Sequence, residues 1–171
     1  LQQYYKPYPV CRWAQAPIEA ALDLQRTHGF THHDVTGLEI ETFHEAIRLA
    51  TSAPDTTEQA QYSTSFPVAV ALVHGDVTPA SIADDALGDP DVMRLSQMLV
   101  MREQDHANAH FPTRRYARAK ITLRDGQVLE SDWMEPKWDH RTPATAGELT
   151  NKFRALALPV LGPDRATRIE T

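Results

Sequence analysis

Apolar and polar positions alternate over two stretches of the chain and run together over a third. Leu38, Ile40 and Thr42 alternate with Glu39, Glu41 and Phe43, a period of two that predicts a strand. Ala117, Ala119, Ile121 and Leu123 alternate with Arg118, Lys120, Thr122 and Arg124 in the same way. Asp125-Gly126 follows and predicts a type I′ turn, which needs the positive φ that Gly tolerates, with Val128 and Glu130 on the return strand. Phe66, Val68, Ala69, Val70, Ala71, Leu72 and Val73 are instead apolar almost without a break. That run predicts a helix buried on most sides, roughly from Ser63 to His74, ended by Gly75.

Local signals fill in the remainder. Leu1 to Pro9 is rich in Tyr and Pro and should be extended. Pro17 sits where a helix can start, because a first-turn Pro loses no hydrogen bond. Ile18, Ala21, Leu22 and Leu24 then give it an apolar side as far as about His28, with Gly29 as a left-handed stop. Glu45 to Ala50 fits either an extension of the strand or a short helix. A short helix is expected from Ser81 to about Ala86, another opening at Asp89-Pro90 and carrying Val92, Met93 and Leu95, and a strand over Met98 to Met101. Thr145-Ala146-Gly147-Glu148 has the form of a capping box; it starts a helix with Leu149, Phe153 and Leu156 that stops at Pro159. Helices and antiparallel strands mix without a βαβ rhythm. The expected fold is therefore α+β, an antiparallel sheet with helices packed on it.

Composition narrows the class. The 171 residues fit one domain, 1–171, and 42% apolar with 23% charged residues is an ordinary globular balance. A net charge of −6 speaks against a general nucleic-acid binder, though a few local cations can still hold an anion. No apolar run approaches the roughly 20 residues that cross a bilayer, so no membrane partner is expected. Cys11 is the one cysteine, which forbids an internal disulfide and suits a reducing compartment; the expected location is cytoplasmic. The chain starts at Leu1 rather than Met, which suggests a fragment or a processed chain.

Histidines invite a metal reading. His28, His32, His33 and Asp34 cluster in a turn, and His106 and His110 share a face if their segment is helical. The first set has adjacent histidines in a loop and the second is followed closely by Pro112, so both are read as solvated histidines and no metal is expected. Arg114, Arg115 and Arg118 form a short basic run of the kind that keeps an edge strand soluble.

Three motifs, in order, carry a resemblance. The first is Lys6-Pro7-Tyr8-Pro9-Val10-Cys11-Arg12-Trp13, followed by Pro17 and a helix. The second is Ala60-Gln61-Tyr62-Ser63, running into Phe66 and the apolar helix. The third is the hairpin around Asp125-Gly126, then Pro143 and the helix with Glu148, Lys152, Phe153 and Arg154. Together they resemble the C-terminal domain of the MmgE/PrpD family, which includes 2-methylcitrate dehydratase, cis-aconitate decarboxylase and iminodisuccinate epimerase. The resemblance implies the smaller, lid-like α+β domain of such an enzyme. It further implies that an all-helical N-terminal domain, absent from this chain, completes the active site, and that this chain alone is inactive. The enzymes work without a cofactor, usually as homodimers, on small di- or tricarboxylates by proton transfer next to a carboxylate.

Residue by residue, the resemblance makes Lys6 the catalytic candidate: an ammonium near a substrate carboxylate can neutralise charge that grows as the adjacent carbon loses its proton. Arg12, Gln15, Tyr8 and Ser63 are the substrate-binding candidates. Arg12 offers a bidentate donor. Tyr8, with Pro9, fixes the segment that presents Lys6, and Ser63 caps the buried helix. Tyr62 and Phe66 are read as core, and Cys11 as a packed thiol. The dehydratase and decarboxylase branches tend to carry a histidine near positions 11 and 15. Gln15 can bind a carboxylate but cannot shuttle a proton, which keeps an epimerase-like isomerase, or a non-catalytic binding domain, beside the lyase reading.

Overall fold

The two alternating stretches pair with each other. β1 (Val35–Thr42) and β3 (Arg118–Leu123) run antiparallel, with Leu38 opposite Ile121 and Ile40 opposite Ala119. β4 (Val128–Glu130) extends β3, and β2 (Val100–Glu103) lies on the far edge, giving the order β2-β1-β3-β4. The α+β class stands, but the sheet is mixed: β2 runs parallel to β1. Alternation reports which face of a strand is buried and says nothing of its neighbour's direction. The long segment between β1 and β2 supplies the crossover that a parallel pair needs. β2 also begins two residues later than the strand expected from Met98.

The hairpin forms with a different turn. Gly126 has φ 89°, and Trp138 is the one non-Gly residue with positive φ among the described residues, so Asp125 does not adopt the type I′ conformation. The Leu123 carbonyl accepts from Gly126 N (3.0 Å) and Leu123 N donates to the Gln127 carbonyl (2.8 Å). Arg124, Asp125 and Gly126 make a three-residue loop in which only the glycine needs the left-handed region.

The computed structural model describes residues 4–170. Leu1, Gln2 and Gln3 of the expected extended segment thus lie outside the described residues. The chain divides into two compact units, a larger one of residues 8–136 and a smaller one that joins the segment ending at Pro7 to the stretch from Lys137 onward. No helix among the described residues is long and apolar enough to cross a membrane.

In the larger unit the sheet's apolar face, including Leu38, Ile40, Ala119, Ile121 and Leu129, joins one core with α1 (Arg12–His28) and α4 (Phe66–His74). α1 starts five residues before the expected Pro17, which lies inside it. An interior Pro costs a helix bond. Here Arg12, Ala14, Gln15 and Ala16 are all buried, and their packing holds the earlier turn despite that cost. Gly29 ends α1 with φ 70° and Gly75 ends α4 with φ 77°, as expected. The helix expected from Ser63 begins three residues later, as α4 at Phe66; Ser63 is extended, and a separate short helix, α3 (Thr57–Tyr62), precedes it where a loop was expected. Residues 66–72 are all buried, as their continuous apolar run predicts. The ambiguous stretch after Phe43 is the short helix α2 (His44–Ile47). Ser81 to Ala86 holds two 3-10 turns, Ala80–Ile82 and Asp84–Ala86, instead of a helix. α5 (Pro90–Met98) is capped by the Asp89 carboxylate, which accepts from Asp91 N and Val92 N.

The sheet's other face carries charge. Arg102 pairs with Glu39, and Arg118 pairs with Glu41 and, at 2.5 Å, with Glu130. Burial works against ionising Glu41, but Arg118 and Gln104 donate to its carboxylate and hold its pKa below the ordinary 4.5. A depressed carboxylate stabilises the fold above its ordinary pKa, and that contribution disappears as pH falls through the folded value. Glu41→Gln should therefore lose less stability than the unmodified chain between about pH 5 and about pH 3. Urea unfolding at those two pH values measures it; equal losses would remove Glu41 from the account of acid sensitivity.

In the smaller unit α7 (Ala146–Leu161) starts at the expected capping box: Thr145 Oγ1 accepts from Glu148 N, and the Glu148 carboxylate accepts from Thr145 N. It runs through Pro159, where a stop was expected, and ends at Gly162. Pro163 then opens α8 (Pro163–Glu170), which the sequence pattern did not reveal. Arg154 joins the two helices through a bidentate pair with Glu170, at 2.8 and 2.7 Å.

Candidate functional site

The segment before α1 is shaped by a side chain from the helix it leads into. Gln15 is fully buried and its amide is spent on that segment. Its Oε1 accepts from Tyr8 N (3.2 Å), and its Nε2 donates to the carbonyls of Tyr8 (3.1 Å) and Val10 (3.2 Å). Residues 8–10 have no regular secondary structure, so their backbone groups depend on such partners. Cys11 N donates to the Gln61 carbonyl at 2.7 Å, which fastens the end of the segment to α3. The Cys11 thiol is partly buried and free.

Tyr8 turns inward. Its hydroxyl donates to Glu19 at 2.9 Å, and Glu19 is only 3% exposed. Burial pushes the Tyr8 phenol well above its ordinary pKa, and the adjacent Glu19 carboxylate adds to that. The hydroxyl therefore stays protonated and acts as a donor. Sequence reasoning missed Glu19, although an acid within Ile18-Glu19-Ala20-Ala21 was a visible signal of a paired buried carboxylate.

Ser63 is likewise buried, and its hydroxyl bonds to backbone on several sides. Its Oγ donates to the Thr51 carbonyl (2.8 Å) and accepts from Phe66 N (3.0 Å) and Ser65 N (3.2 Å). The N-cap position of α4 is Ser65, so Ser63 is not the cap expected of it, but from two residues earlier its hydroxyl serves the first amide of α4, that of Phe66. Phe66 is core. Tyr62 is not: it is 60% exposed, since α3 ends before α4 begins and turns that ring outward. Arg12 is buried in the first turn of α1. Tyr8, Arg12, Gln15 and Ser63 all belong to the larger unit, with Gln15 joined directly to Tyr8. Lys6 is exposed and belongs to the smaller unit. In that unit Lys152 Nζ donates to the Pro7 carbonyl at 2.7 Å, and Tyr5 N donates to the Trp138 carbonyl at 3.2 Å. The backbone on both sides of Lys6 is thereby held.

The histidine groups separate. His106 and His110 do share a face, of the short helix α6 (Asp105–His110), with ring centroids 4.7 Å apart. His110 Nδ1 lies 2.8 Å from the His106 carbonyl, and the His106 ring lies against Tyr116 and Trp133. In the other group, His28 is exposed at the end of α1, while His32, His33 and Asp34 form a 3-10 turn.

Over 157 residues, 85% of this chain and 30% of the relative, the sequence is 28% identical to the mitochondrial 2-methylcitrate dehydratase of Yarrowia lipolytica. Over 120 residues, 69% of this chain and 24% of the relative, it is 28% identical to the cis-aconitate decarboxylase of Mus musculus. The matched stretch thus spans about a quarter to a third of the length of these curated relatives. The family model of the MmgE/PrpD C-terminal domain matches residues 8–171. With nearly its whole length covered, this chain belongs to the MmgE/PrpD C-terminal domain family.

Proposed function

We propose that the chain is the smaller domain of a lyase that removes water or carbon dioxide from a small di- or tricarboxylate, without a cofactor, by proton transfer next to a carboxylate. The observation that carries this reading is the family match over residues 8–171, together with relatives named as a dehydratase and a decarboxylase. Lys6, two residues before the matched range, is the cation assigned to the substrate carboxylate, and Arg12 is a second candidate clamp. Gln15 and Ser63 act by holding backbone in place, and Tyr8 by donating to the buried Glu19 carboxylate, because their polar atoms bond to protein. The reading includes an all-helical domain that precedes this one, a homodimer and a cytoplasmic location.

One observation favours an isomerase of the same family. Gln15 stands where the lyase branches tend to carry histidine, and its amide is committed to the backbone. It cannot take up or release a proton near neutral pH at the position where those branches have a basic group, which suits an epimerisation that uses other residues to remove and return the proton.

The complete enzyme should be incubated with small di- and tricarboxylates in deuterium oxide. Loss of water or carbon dioxide from one of them supports the lyase. Deuterium exchange and inversion without loss of mass supports the isomerase. No turnover and no exchange across the series overturns both. The present chain by itself is expected to turn over none of these acids, because a pocket shared between two domains needs both walls; turnover by the purified chain would refute the shared pocket.

A further inference from the structure

We propose that His32, His33 and Asp91 form a site for one divalent transition-metal ion of the zinc type. The three side chains each present a ligand atom, and these atoms lie within 4.8 Å of one another. His32 Nε2 is 3.6 Å from Asp91 Oδ2. That is too long for a hydrogen bond, and it is close to the edge of a tetrahedron, about 3.3 Å, that bonds of about 2.0–2.1 Å to a zinc ion create. His32 Nε2 is buried and has no hydrogen-bond partner among the described residues. A buried ring nitrogen without a partner is unusual, and an ion between it and the carboxylate would satisfy both. The His33 ring lies beside the His32 ring, centroids 3.9 Å apart, and is exposed, so it can close the remaining distance by rotation.

The scaffold around the trio is fixed by other groups. Thr31 N and Oγ1 donate to the Asp34 carboxylate at 2.8 and 2.7 Å, which commits Asp34 to the turn. Arg94, from α5, donates to the carbonyls of His32 (2.7 Å) and Val35 (3.2 Å), and Arg124 donates to the carbonyl of His33 (2.9 Å). Both guanidinium groups hold backbone oxygens and leave the ring nitrogens to face Asp91. Asp89 caps α5, and the Asp91 carboxylate, two residues on, lies toward His32. Two imidazoles and one carboxylate, with a fourth position left for water, are a donor set that suits zinc and its neighbours over calcium or magnesium, which take oxygen ligands. The bound ion would tie the turn before β1 to the first turn of α5. His28 and Asp34, grouped with these histidines in the sequence, take no part. Asp91, the third ligand, is remote in sequence.

The chelator-treated protein should be titrated with zinc against a chromophoric competitor, and with cobalt to read the visible absorption of a tetrahedral site. One equivalent is expected to bind with a dissociation constant on the order of micromolar, and zinc at a hundredfold excess over that constant to raise the melting temperature by about 5–10 °C. His33→Ala, at an exposed position, and Asp91→Asn should each weaken binding at least about tenfold. The double substitution His106→Ala with His110→Ala should leave it unchanged. Circular dichroism confirms that the variants are folded; His33→Ala keeps the test valid if Asp91→Asn does not fold. No binding below about 0.1 mM, binding that survives both ligand substitutions, or binding lost with His106 and His110 would each overturn the site.

Discussion

Replacing Lys6 by alanine in the complete enzyme is expected to lower kcat/KM by roughly two to four powers of ten, about 3–5 kcal/mol, the scale of one preorganised charge stabiliser or proton-transfer group. Proton removal beside a carboxylate adds negative charge to a substrate that is already an anion. A cation whose backbone neighbours are held can meet that charge with little reorganisation. Lys6 sits in such a frame: Pro7 restricts the chain after it, the Pro7 carbonyl is held by Lys152, and Tyr5 N is held by the Trp138 carbonyl. Steady-state kinetics separates two roles. A lysine that only anchors substrate raises KM and leaves kcat, whereas one that acts in the chemical step lowers kcat as well. A folded Lys6→Ala enzyme within about threefold of the unmodified one on both constants would leave Lys6 outside the site.

The second large effect is expected on stability. Gln15→Leu keeps the side chain's bulk and removes its amide. The N–H of Tyr8 and the carbonyls of Tyr8 and Val10 then lose partners inside a buried segment, where Tyr8 is 8% and Val10 1% exposed. Each unmade bond costs about 1–3 kcal/mol, partly relieved as the segment shifts, so the sum is about 3–5 kcal/mol. For a chain of this size that lowers the melting temperature by about 10 °C. Thermal unfolding reads it, and a drop under about 2 °C would mean that the amide bonds hold nothing the segment could not replace.

How far the fold could be read from the sequence depended on the kind of signal. β1 and β3 were legible because alternation is a direct record of one buried face, and the glycines after His28 and His74 because only a left-handed stop explains them. The start of α1 was not legible. Pro17 offered a local start, while the true one depends on the burial of Arg12 and Ala14 by parts of the chain far away in sequence. Pro159 misled differently: α7 runs on through it to Gly162 although Pro159 is exposed, so burial does not explain the continuation. In the candidate site, motif position and residue type were enough to single out Tyr8, Gln15 and Ser63. What each polar atom bonds to was out of reach: an amide has the same letters whether it faces a ligand or a backbone carbonyl. Asp91 lay beyond any local pattern, since only the fold brings α5 to the turn at His32.

The bonds between Gln15 and Tyr8 join residues seven positions apart. Closing so short a loop costs little chain entropy; these bonds themselves require only the wound first turn of α1, whereas the fastening of Cys11 N to Gln61 waits for α3. β1, in contrast, must find β3 across most of the larger unit, and such distant pairings are slow. The presenting segment can thus take its shape early, ahead of the sheet. Substitutions that delay strand pairing would lengthen the folding of the unit's body and leave the timing of this segment unchanged.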